Sequence, residues 1–353
     1  IINKNVNFLN IYFSKFFFIF YVFIILSSIF SDEVLFSLKN TFFYIRFLIF
    51  SYLLRFLIIF EKDFLKLFIQ SIMITLTIIS IDAIIEYLRG NHWLFDKSLY
   101  HEFTGGYRIS GLFDEEFILG GFVLSFFPTV LFLQFKFINR NIFLKYFFLI
   151  TSILLFIITI LISGERATLA KLIIFLTLAS IFTSIIKTFR RKIIFFILLA
   201  LTLFVSIFSQ PKLTQRIVFH TLNLVLDTKS DERIGVDLSL KEYFEKYDFK
   251  NMNVKYFSKA HHDHALVSFR MFNDKKIMGH GVKMFRFKCE EKKYYLNERS
   301  CSTHSHGIVL SFLSETGLIG LTFLLIMYFF LLKNIFIASI NTEKIILISI
   351  FVY

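Results

Sequence analysis

Residues 146–186 read YFFLITSILLFIITILISGERATLAKLIIFLTLASIFTSII. Residues 146–163 hold no charged side chain, and residues 168–186 hold only Lys171. Each run is about 18–20 residues, the length of helix that crosses about 30 Å of hydrocarbon. Between them lie Ser163, Gly164, Glu165, Arg166 and Ala167, enough for a tight turn and nothing more. Two such runs joined by so short a polar turn read as a helical hairpin in a bilayer. A backbone exposed to lipid must satisfy its own hydrogen bonds, and a helix does so within itself.

The same pattern extends in both directions. Apolar segments fall at about 11–30, 41–60, 67–88, 117–135, 146–163, 168–186, 193–209, 307–331 and 335–353. The limits of 41–60 and 67–88 are the softest, because a few charges intrude. Pro is nearly absent, and Pro128 alone lies within a span. The chain is 56% apolar, with a mean hydropathy of +0.68, and its apolar residues come in blocks rather than short amphipathic stripes. That excludes a small soluble core. The abundance of Phe, 52 copies, reads as a bias toward AT-rich codons that a membrane tolerates. No small-residue cleavage site follows the first apolar run. Ile1 opens the chain and Tyr353 lies within an apolar run, so the sequence reads as a piece open at both ends.

Lys and Arg placement sets orientation. Lys136, Arg140 and Lys145 occupy one short connection; Lys187, Arg190, Arg191 and Lys192 occupy another; Lys333 follows a later span. With these in the cytoplasm, residues 31–40, 89–116, 163–167 and 210–306 face outside. The last is too long for its own charge to govern its side. All 9 His residues then fall outside: His92, His101, His220, His261, His262, His264, His280, His304 and His306. Cys289 and Cys301 lie there too, and an oxidising compartment would let them pair; two free thiols is the other reading. The expected architecture is all-α: a polytopic transmembrane bundle of about seven helices over 1–209, a partly helical outer loop over 210–306, and C-terminal helices over 307–353. Within the loop, residues 238–249 and 265–272 have helical spacing, and Gly279-His280-Gly281 marks a break.

Chemistry therefore belongs on the outer face. Thr303-His304-Ser305-His306-Gly307 runs directly into an apolar helix, with Glu315 further along it. A neutral imidazole at the membrane surface can take a proton from a sugar hydroxyl; an interfacial His without a role is the plainer reading. Arg166 lies in the short turn near a helix N-terminus, where a guanidinium and free N–H groups suit a diphosphate. A snorkelling Arg that closes a hairpin explains the same spacing. Arg108, in Tyr107-Arg108-Ile109-Ser110-Gly111-Leu112-Phe113, adds positive charge, and the following Asp114, Glu115 and Glu116 suit a helix N-terminus. Gly279-His280-Gly281-Val282-Lys283-Met284-Phe285-Arg286 contains glycines that let backbone approach a ligand; it does not fit a dinucleotide fingerprint. His261, His262, Asp263 and His264 are too closely spaced to converge on one ion, and no metal is expected. No Walker, nucleophile-elbow or zincin pattern is present.

In this order, these pieces resemble the O-antigen ligase and O-antigen polymerase family. Its signature is a His, a small polar residue, nine residues, Gly, two residues and Gly; here these are His306, Gly307, residues 308–316, Gly317 and Gly320. Gly307 replaces the usual Asn, Ser or Gln. Arg108-Ile109-Ser110-Gly111-Leu112-Phe113, Gly164-Glu165-Arg166 and the segment from Gly279 to Arg286 resemble further family segments, so the likeness covers about residues 30–353. The resemblance implies a bacterial inner-membrane glycosyltransferase, active on its periplasmic face without metal or cofactor. It would move a glycan from undecaprenyl diphosphate to a lipid A-core sugar, another lipid-linked glycan or a protein hydroxyl. It implies His306 and Arg166 as catalytic, and Arg108, Arg286, His304 and Glu315 as substrate-binding. Membrane lipid is an expected partner and nucleic acid is not. The competing expectation is a transporter of a polar or anionic solute, with Asp82 and Glu86 as its intramembrane charges.

Overall fold

The computed structural model describes residues 6–61, 63–95, 100–101, 106–114, 116–137, 142–183, 217–218, 221, 259–339 and 341–352. The expected span 193–209 and the helical stretch 238–249 lie outside them. The described chain is helical: α1 (Val6–Ile29), α2 (Val34–Phe42), α3 (Ile45–Phe60), α4 (Phe64–Arg89), α5 (Leu119–Phe137), α6 (Ile142–Ile162), α7 (Arg166–Phe182), α8 (Lys259–Asp274), α9 (Phe285–Lys288), α10 (Ile308–Ser311), α11 (Gly317–Ile337) and α12 (Asn341–Val352). One two-residue antiparallel ladder pairs Tyr100–His101 with Gly106–Tyr107.

Among the described residues, three helical stretches are long and apolar enough to cross a membrane: Val34–Phe60, Phe64–Arg89 and Ile308–Ile337. Helix α6 shows why the surroundings are apolar. Phe147, Ile150, Leu154 and Ile158 form one exposed stripe, 44–55% open, while Phe156 and Ile160 on another face are buried. A helix apolar on its outer face as well as its inner one suits lipid, not water.

Two compact units are interleaved in sequence: residues 1–62 with 256–330, and residues 63–255 with 331–353. The expected blocks 1–209, 210–306 and 307–353 divide the chain by membrane topology and not by compactness. In the first unit, the end of α1 and the start of α2 receive the distant segment 275–289. Ser27 Oγ donates to the Met278 carbonyl at 2.8 Å, Ser37 Oγ donates to the Val282 carbonyl at 3.1 Å, and Lys288 pairs with Asp32. In the second unit, α4, α5, α6 and α7 pack around Leu76, Ala83, Leu119, Val123, Phe156 and Leu172, and α12 joins α7 around Phe175, Ile335, Ile345 and Ile348.

Two boundaries depart from expectation. Residues 34–40, expected in a connection, are helical, because Asp32 and Glu33 sit where the N-terminus of α2 favours carboxylates. The expected span 307–331 is broken: a π turn over Phe312–Thr316 follows α10, and Gly317 (φ +64°) starts α11 in the left-handed region. Helix α11 then runs through Lys333 to Ile337.

Candidate functional site

The loop of residues 276–281 seals the break. Leu318 N donates to the Lys276 carbonyl at 2.8 Å and Ile319 N to that of Ile277 at 3.3 Å. In return, His280 N and Gly281 N donate to the carbonyls of Ser314 and Glu315, at 3.1 and 2.8 Å. The backbone groups freed by the interruption thus find partners in protein, as they must at membrane depth. Contact this close explains the glycines. Gly279 (φ +69°) has no room for a Cβ against the Glu315 backbone, and a Cβ on Gly317 would meet the Ile277 carbonyl. The close approach read from Gly279 and Gly281 is to other parts of this chain: Gly281 lies against Ser31.

Glu315 follows the same logic. Its carboxylate accepts the N–H groups of Lys283, at 2.9 Å, and of Phe285, at 3.4 Å, and so holds the start of α9. His280 is fully buried, and its Nε2 donates to the Met271 carbonyl at 3.0 Å. Beside it, Tyr294 donates to Asp274, whose carboxyl is held at about 2 chiefly by that hydrogen bond and by one from Lys293.

At the head of α10 four imidazoles gather. The His306 ring lies 4.2 Å from that of His304, 4.8 Å from His264, with which it stacks, and 5.7 Å from His261. Helix α8 supplies His261 and His264, three residues apart and hence on one face. His306 itself has φ +53°, a strained conformation for a residue with a Cβ. Loss of water around the crowded rings, then the charges of His304, His264 and His261, hold the His306 imidazole down to about 4. His304 is lowered as well, by burial and then by Lys283 and Arg286. Arg286 donates to the Thr303 carbonyl at 3.5 Å and lies over the Phe36 ring. Gly307 occupies the helix N-cap position without a side-chain acceptor, while Ser305 Oγ is 2.8 Å from Ser311 Oγ. Sequence reasoning set His261 and His264 aside as a poor metal site. Among the described residues no group of three or more His, Cys, Asp or Glu could hold a metal ion. The i, i+3 spacing of these two on α8 was the available signal that they share a face.

Cys289 and Cys301 are joined as a disulfide, with their Cα atoms 5.3 Å apart.

The second unit carries the two other candidate arginines, Arg108 and Arg166. Arg108 donates to the Phe117 carbonyl at 3.1 Å and stacks over the Phe117 ring at 4.4 Å. Arg166 opens α7. Burial lowers both guanidinium groups; Arg108 lowers Arg166 further, whereas Glu165 acts to raise Arg108. Glu165 is itself committed. It accepts Gly120 N at 2.7 Å, Gly121 N at 3.1 Å and Thr168 Oγ1 at 2.7 Å, which caps α5 across the turn. On α4, Asp82 accepts from Trp93 Nε1 at 2.6 Å and from His92 Nε2 at 3.3 Å, and Glu86 accepts Gly111 N at 2.7 Å. Both carboxylates pin loop residues that follow α4 to that helix. No family model matches this chain, and no curated protein or solved structure matches it either.

Proposed function

We propose that this protein is a bacterial inner-membrane glycosyltransferase. On its periplasmic face it transfers a glycan from undecaprenyl diphosphate to a hydroxyl of a lipid A-core sugar, a second lipid-linked glycan or a protein. The observation that carries the reading is the neutral His306, set among His261, His264 and His304 at the head of the 308–337 stretch. An imidazole held near 4 is uncharged at neutral pH and free to accept a hydrogen bond. It is a weak base, so its part is to orient the acceptor hydroxyl and receive its proton as the new C–O bond forms. The anomeric C–O bond to the diphosphate breaks, and the lipid diphosphate leaves with the electron pair. Arg286, which acts on His304 in the same unit, is suited to that developing charge, and stabilisation of this kind is commonly a large part of the rate. The Cys289–Cys301 disulfide supports an oxidising compartment for the loop.

The transporter reading gains little. Asp82 and Glu86 hold the outer loop, and the helix interruption at 312–317 is filled by 276–281.

The test is His306→Ala in membranes supplied with lipid-linked donor and acceptor. Glycan transfer should fall at least about 100-fold, in line with loss of an acid–base group, while membrane insertion is unchanged. Transfer at the wild-type rate would remove His306 from the mechanism and overturn the proposal.

A further inference from the structure

The two halves of the imidazole cluster come from parts of the chain with different support. His261 and His264 ride on α8, whose Val267 and Met271 are buried in the loop core. His304 and His306 lie on the irregular stretch between the turn Glu298–Ser300 and α10. Ser305 is buried and pairs with Ser311 Oγ at 2.8 Å and Cys301 packs on the loop core, while Thr303 and His304 between them are exposed, with a 3.5 Å bond from Arg286 to the Thr303 carbonyl. Upstream, Tyr294 and Ser300 are buried and Tyr294 donates to Asp274 of α8, while Asn297 reaches Asp263 at 3.0 Å and Arg270 reaches the carbonyls of Tyr294 and Tyr295 at 3.3 Å. Cys289 is fully buried beside Val267, Met271 and Phe285. It follows α9, which is fixed by Glu315 at its start and by the Lys288–Asp32 pair at its end. Beyond the backbone itself, the Cys289–Cys301 disulfide is a covalent crosslink from this frame to the histidine-bearing stretch.

We propose that the Cys289–Cys301 disulfide is a clasp that positions His304 and His306 against His261 and His264, and that its reduction disperses the cluster. The S–S bond takes two electrons and two protons from a dithiol, which becomes a disulfide in turn. The stretch is then held by Gly307 at the head of α10, by buried Ser300 and Ser305 and by hydrogen bonds, with no crosslink to the end of α9. His306 loses the crowding of His261 and His264, and His304 loses the nearby Lys283 and Arg286. The cysteines are positioning residues for the reaction proposed above, and the clasp deepens that reading.

The test is histidine C2–hydrogen exchange in the full-length protein in membranes, followed by mass spectrometry as a function of pH, with and without dithiothreitol. The oxidised protein should show a His306 midpoint of about 4. Reduction should move it toward the ordinary imidazole value of about 6.5 and lower glycan transfer roughly tenfold or more. Cys289→Ser with Cys301→Ser should behave as the reduced protein with or without dithiothreitol; if that variant fails to accumulate, the wild-type measurement decides. An unchanged His306 midpoint on reduction overturns the clasp, whatever the transfer rate does. A shifted midpoint with no transfer in either redox state supports the clasp and overturns the transferase reading alone.

Discussion

Three described residues other than Gly adopt positive φ: Asp114, Lys283 and His306. Two of them belong to the histidine site. Such conformations cost of order 1–3 kcal/mol each and persist where surrounding structure over-determines them. Lys283 is held through its N–H by Glu315, and His306 through its ring by three other imidazoles. The glycines beneath them are under a stricter constraint. Gly279 combines φ +69° with backbone contact to Glu315, so Gly279→Ala has to adopt a left-handed conformation and also displace the π turn. We expect that substitution to cost roughly 2–4 kcal/mol, read as a lower thermal midpoint in detergent. An unchanged midpoint would show that the 276–281 loop does not bear on the broken helix. His306, His304 and Arg286 were legible as site candidates because residue type and position at a membrane edge suffice for that. The partners of Glu315 were not legible, since a carboxylate that accepts two backbone N–H groups leaves no pattern in sequence.

At the scale of elements, helix ends decide more than helix interiors. The interiors are apolar runs that form helices in lipid with little choice. The ends must find partners for their free N–H and C=O groups. Helix α5 receives Glu165 from the turn before α7, and α11 receives the carbonyls of Lys276 and Ile277. Glu165→Ala strips the cap from Gly120 and Gly121 and should destabilise the second unit by about 1–2 kcal/mol, while Glu165→Gln keeps an acceptor and loses less. Chemical denaturation of the two variants in parallel checks the order; equal losses would mean that the carboxylate's charge, rather than its acceptor geometry, does the capping. The break at Gly317 follows the same logic. Helix α11 has 21 residues, about 32 Å, which already matches the hydrocarbon thickness. The interruption thus stands at one end of a membrane-length helix. Discontinuous helices that carry transport sites break near the midplane instead.

For the whole molecule, the proposed orientation puts residues 259–306 outside, on the evidence of basic connections and of the disulfide. An alkaline phosphatase fusion after Ser302 should be active, and one after Lys187 inactive. The reverse pattern would put the histidine cluster in the cytoplasm and end the proposed chemistry. Taken alone, the sequence determined the helical class and the membrane setting. Uninterrupted apolar length is a local property, and in a bilayer a local property is enough to choose the helix. Tertiary structure alone decided which distant segments meet: residues 27–37 with 275–289, Gly279 with the π turn, and His261 and His264 with His306. Those meetings depend on single hydrogen bonds, one disulfide and the space left by a missing Cβ. None of these repeats along the chain, so each acquires its meaning only once the chain has folded.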